Sequence, residues 1–242
     1  MAIIAVNGLT SSLDTTDLST YATASITPTP NALILIAVAS RIAAGVGGGP
    51  QAATVTGCGL TWVQVKTEVT FGATPNRKMT LLRAMGAAPT TGALSIDFNG
   101  ETQTQAAWSV VEFVGARTGG TNGSTALVQS GSANDGGVLG TTAITTLSAF
   151  ESSSHIAFGA VCVTGAVVGG ITPGSGFTEI HEVATSENGT TFETEYKKND
   201  VTVDATWTGN NSWFEIACEV AQGKSKIPTS LRPRIFAPGV AR

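Results

Sequence analysis

Apolar and polar residues alternate with a period of two along most of this 242-residue chain, and the helical period of 3.6 hardly appears. Residues 32–39 (ALILIAVA) form an unbroken apolar run after the turn sequence Thr-Pro-Thr-Pro-Asn, which predicts a strand buried on both faces. Further strands are predicted at 21–27, 60–65, 78–85, 93–98 and 104–115, with a turn at Asn99-Gly100 of the type that closes hairpins. Residues 116–140 are rich in Gly, Ser, Thr and Asn and read as long loops around a short strand at 126–129. Strands resume at 141–147, 155–164, 177–183, 191–197, 201–207 and 212–220. In the penultimate one, Val201, Val203, Ala205 and Trp207 share a face. In the last, Phe214, Ile216, Cys218 and Val220 share a face and Glu215 and Glu219 take the other, which predicts one buried and one wet side.

About a dozen strands without interleaved helices predict an all-β, antiparallel β-sandwich of jelly-roll type. The expected organisation is one sandwich over residues 1–221 and an extended arm over 222–242, with the first twenty residues open between strand and arm. WSVVEFVG from Trp108 and WFEIACEV from Trp213 echo each other, and the echo reads as two central strands with similar packing demands, not as a tandem repeat.

Composition narrows the chemistry. Charged residues are 12% of the chain, about half the share of ordinary soluble domains, so Thr, Ser, Asn, Gln and Gly must cover the surface. Cys58, Cys162 and Cys218 are far apart and read as buried free thiols. His155 and His181 read as surface or strand-end residues. Neither stands in a nucleophile elbow, and no phosphate loop occurs, GVGGGP at 45–50 being a loop. Glu179 and His181 could share a strand face, but no third metal ligand is evident. The pairs Glu179/Glu182, Glu193/Glu195 and Glu215/Glu219 are the positions at which a jelly-roll glycoside hydrolase would carry its acids. Trp213, after Asn210 and Asn211, is the tryptophan expected at the surface, where the three would form a glycan-binding platform. No cofactor is called for, and no apolar run is long enough to span a membrane. The start resembles no signal peptide, which places synthesis in the cytoplasm.

The charge is divided unevenly. Residues 1–222 hold eight basic and seventeen acidic residues, a net of −9, which argues against nucleic acid as a partner of the body. The last twenty residues hold Lys224, Lys226, Arg232, Arg234 and Arg242 and no acid. Pro228, Pro233 and Pro238 prevent a regular element there, and Ile227, Leu231, Ile235 and Phe236 recur as apolar anchors. A basic, extended segment with spaced anchors suits docking onto another subunit, the alternative being a tail folded back onto its own acidic body.

SITPTPNA at 25–32, GLTWVQV at 59–65, LLRAMGA at 81–87, AAWSVVEFVGA at 106–116 and GFTEIHEV at 176–183 resemble β-sandwich virion proteins of tailed bacteriophages, and RPRIFAPGVAR resembles the endings of some phage structural proteins. The resemblance implies a role in the virion, as capsid decoration, head fibre or tail component, with major capsid or tail subunits as partners. It also implies a homo-oligomer, trimeric by analogy with the threefold sites of capsids. It supplies no catalytic residue.

Overall fold

A computed structural model describes residues 4–43, 49–72, 75–186 and 189–223. They hold sixteen strands and no helix: β1 (Ala5–Asp14), β2 (Thr20–Ala22), β3 (Leu33–Arg41), β4 (Thr54–Thr56), β5 (Val63–Val69), β6 (Arg77–Ala84), β7 (Ser95–Asp97), β8 (Gln105–Val114), β9 (Leu127–Asn134), β10 (Gly140–Thr146), β11 (Ile156–Val163), β12 (Thr172–Pro173), β13 (Thr178–Thr185), β14 (Thr190–Lys198), β15 (Thr202–Asn211) and β16 (Trp213–Val220). The open N-terminal segment is therefore strand from Ala5, paired antiparallel along β8. The short strand expected near 126–129 runs on to Asn134 as β9. The Asn99-Gly100 turn exists, with both residues at positive φ, but it joins strands of different sheets and so closes no hairpin.

The strands form four antiparallel sheets. Their orders are β1-β8-β3-β6-β5, β2-β7-β4, β13-β14-β11-β16-β9 and β10-β15-β12. Counting from β9 as a new first strand, the second eight strands repeat the first eight in both sheets, large and small. Each set of eight is a jelly-roll-like unit, and together they make the β-sandwich architecture.

The side chains repeat as well. Trp108 lies in a row with Val38 and Thr80, and Trp213 in a row with Val163 and Thr191. In each row the threonine Oγ1 accepts a hydrogen bond from the loop ahead of the fourth strand, from Ala53 N at 3.2 Å and from Val167 N at 3.1 Å. The tryptophan echo thus marks a structural repeat, contrary to the expectation of mere similarity. It is faint in sequence because the two units conserve a packing plan and few identities.

The two large sheets pack face to face. Leu33, Leu35, Leu81, Val111 and Phe113 of the first unit meet Ile156, Phe158, Phe192, Phe214 and Ile216 of the second in one core. Phe113 and Phe158 cross this interface edge to face, 5.9 Å apart. The contacts are reciprocal. β1 meets β13 as β5 meets β9, and β8 meets β14 as β6 meets β16. That is the pattern of a twofold, isologous interface, here built within one chain. Each unit's small sheet closes the outer side of its own large sheet over a separate core. In the first, Tyr21, Ile36, Ile96, Phe98, Trp108 and Val110 pack together. In the second, Val161, Val163, Ala205, Trp207 and Trp213 do so. The four layers explain why β3, β8, β11 and β16 are buried on both faces. Cys58, Cys162 and Cys218 are buried free thiols, as expected.

Candidate functional site

The docking residues named from sequence, Lys224, Lys226, Ile227, Leu231, Arg232, Arg234, Ile235, Phe236 and Arg242, lie outside the described residues. Their point of departure is defined. The extensions of β8 and β16 meet in an antiparallel bridge between Ala116 and Gln222, and Gly223 N donates to Gly115 O at 2.9 Å. Beside this bridge opens a cleft of about 340 Å³ lined by Ile4, Ser153, Ser154, Ile156, Tyr196, Lys198 and Gln222.

The glycan platform is not formed as expected. Trp213 is 8% exposed and packs in the core of the second unit with Val163, Val167 and Trp207. It does share a face with Glu215 and Glu219, but that face looks into the second unit. β16 lies between β11 and β9 and under the small sheet, so neither of its sides is wet. Asn210 is exposed at the end of β15, and Asn211 donates from Nδ2 to Gly209 O at 3.3 Å. The three residues therefore present no common flat face.

The same burial corrects the acids. Glu215 and Glu219, expected on a wet face, are fully buried, as are Glu193 and Glu195. Glu219 is satisfied: one oxygen meets His155 Nδ1 at 2.5 Å and the other accepts from Gln129 Nε2 at 2.7 Å. His155, read as a surface or strand-end residue, stands just ahead of β11 and is buried with Glu219. Glu193 and Glu215 stand opposite Val161 from its two neighbouring strands, on one face of the sheet. None of their four oxygens has a hydrogen-bond partner. Glu195 is one step along, opposite Gly159, and accepts from Gly174 N at 3.0 Å through a single oxygen.

Burial, reinforced by Glu195, Glu179, Glu182 and Glu215, pushes the Glu193 carboxyl well above the usual range. Burial does the same to Glu215, helped by Glu195 and Asp204 and opposed by the Thr145 hydroxyl. Glu195 is pushed up to about 8, mainly by burial, against the pull of the Gly174 N–H.

A bulge between Glu179 and His181 separates the residues considered for a metal. It turns His181 to the inter-unit face, where Nδ1 meets Ser109 Oγ at 2.9 Å, while the same hydroxyl meets Thr194 Oγ1 at 2.9 Å. Glu182 stays on the face of Glu193, and its carboxylate accepts from Ile171 N at 2.5 Å. Among the described residues no group of three or more His, Cys, Asp or Glu is placed to hold a metal ion.

One outward-facing feature was not anticipated. Phe71, after β5 of the first unit, is 58% exposed, and its ring covers Gly137 so closely that a Cβ there would meet it at 2.7 Å. Val138 and Leu139, beside Gly137 in the second unit, are 75% and 57% exposed. Three large apolar side chains thus lie in neighbouring loops of the two units. The signal was present as Val-Leu after a Gly-rich loop, but nothing in the pattern told that it faces outward or meets Phe71. Compared with family models, with curated proteins and with solved structures, the chain matches none.

Proposed function

We propose that the protein is a structural building block of a tailed-phage virion, a capsid decoration or capsid-attached protein that docks on neighbouring subunits through residues 222–242. The observation that carries this reading is the division of charge. A body of net −9 is followed by twenty residues with five cations, no acid and spaced apolar anchors. Such a segment can form ion pairs and bury its apolar anchors at a subunit boundary. The exposed Phe71, Val138 and Leu139 support the reading, because large apolar side chains gathered in loops are a common mark of a protein–protein contact. The body supports it too: four packed layers make a stiff block suited to cementing a shell, where binding stabilises by mass action.

The test is a chain ending at Gly223, compared with the full chain for co-sedimentation with particles that lack the protein. The full chain is expected to bind and the shortened one to stay in the supernatant, with unchanged circular dichroism. Equal binding of both would refute docking by the tail.

A further inference from the structure

The internal repeat provides a comparison within one molecule. In the first unit the central row across three strands is Leu82–Ile36–Val110, all buried in an apolar core. The equivalent row of the second unit is Glu193–Val161–Glu215. Two carboxyls therefore stand where the same architecture otherwise places hydrocarbon. Both are fully buried, and none of their oxygens is hydrogen-bonded. From the small sheet, Thr145 of β10 turns its buried hydroxyl toward Glu215 without closing a hydrogen bond.

Among the described residues the surroundings give Glu193 and Glu215 no paired counter-charge. β14 itself adds Glu195, and Lys197 at its end, whose ammonium is paired with Asp200 at 2.6 Å. β13 adds Glu179 and Glu182, β15 adds Asp204, and β16 adds Glu219, which is held by His155. β11 contributes Ala157, Gly159 and Val161 to this face, and β12 carries no titratable group. Among the described residues, the two basic side chains on this side, Lys197 and His155, are paired with Asp200 and Glu219. An ionised Glu193 or Glu215 would be a buried charge without a partner, a state that proteins avoid by keeping the proton.

We propose that the second unit is a proton-operated closure: the sheet β10-β15-β12 stays packed on its large sheet while Glu193 and Glu215 hold their protons, and it is released when they lose them. The first unit, with Leu82 and Val110 in the equivalent places, stays closed throughout. The release exposes the carboxyls to water and leaves the inter-unit core intact, because that core lies on the opposite face of the large sheet. The device is independent of where the protein docks and of whether the docking reading holds.

Hydrogen exchange of the full chain at pH 6 and pH 9 tests it, with each amide referred to its intrinsic rate so that base catalysis cancels. β3 and β8 of the same molecule serve as the reference. Protection of 140–146 and 202–211 relative to that reference is expected to fall about tenfold or more at the higher pH, one uncompensated proton over one pH unit being worth that factor. The pair Glu193→Leu and Glu215→Val, which copies the first unit, is expected to cut the fall to the smaller part that Glu195 alone contributes. The isosteric pair Glu193→Gln and Glu215→Gln is expected to do the same and covers the case in which the apolar pair does not fold. A ratio that is the same at both pH values in the natural protein would overturn the proposal. So would a fall of undiminished size in either folded variant.

Discussion

At the scale of single residues, the second unit leaves little room beside its buried acids. Gly159 faces both Glu195 and Val203, and a Cβ placed on it would lie 2.4 Å from Val203 Cγ1. Gly159→Ala is expected to destabilise by roughly 1–3 kcal/mol through overpacking, read as a lower midpoint in urea at unchanged slope. Ser109 joins the units by meeting His181 and Thr194 at once. Ser109→Ala would leave both without that partner, at a cost of roughly 1–3 kcal/mol. Burial lowers the pKa of His181. Below the ordinary histidine value the unfolded chain then takes up a proton that the native one resists. Its contribution to stability is complete above that pH and shrinks on acidification, and His181→Gln is expected to flatten the acid limb of a melting-temperature profile. The acids act with the opposite sign. Glu193, Glu195 and Glu215 hold their protons in the native state beyond the ordinary carboxylate range, so stability falls from about pH 4.5 upward until they ionise.

At the scale of elements, the legible strands were those whose pattern is purely local. The run 32–39, the strand 78–85 and the long strand from residue 104 appear as β3, β6 and β8. β4 and β12 have three and two residues, too short to carry a period, and they went unseen. β1 (Ala5–Asp14) mixes Gly, Ser, Thr and Asn on an edge beside β13, where partial burial erases the alternation. β16 is the instructive case. Its alternation was read correctly, yet the solvent side was assigned from chemistry: glutamates on one face suggested water. In a four-layer protein that face is interior. Trp213, expected at the surface because it follows Asn210 and Asn211, lies on that same interior face. Periodicity tells which residues share a face, and only the number of layers tells what the face meets.

At the scale of the whole molecule, the repeat is the feature that sequence alone concealed. Two units with the same strand order share their central core through reciprocal contacts, as the subunits of a twofold dimer do. Neither can expose its large sheet without losing the side chains that Phe113 and Phe158 typify. Thermal unfolding near pH 6 is therefore expected as one transition, with calorimetric and van't Hoff enthalpies equal, and two resolved transitions would show that the units unfold separately. Outside these cores stand an apolar cluster at Phe71, Val138 and Leu139 and, after Gln222, the basic segment of the sequence. Those are the surfaces on which the proposed assembly role depends. It is tested most directly by peptide mass spectrometry of purified virus particles from the source, with stoichiometry taken against the main shell protein. Abundant copies, comparable in number to the sites of a shell, are the expected result. Complete absence of the chain from the particles would contradict the virion role.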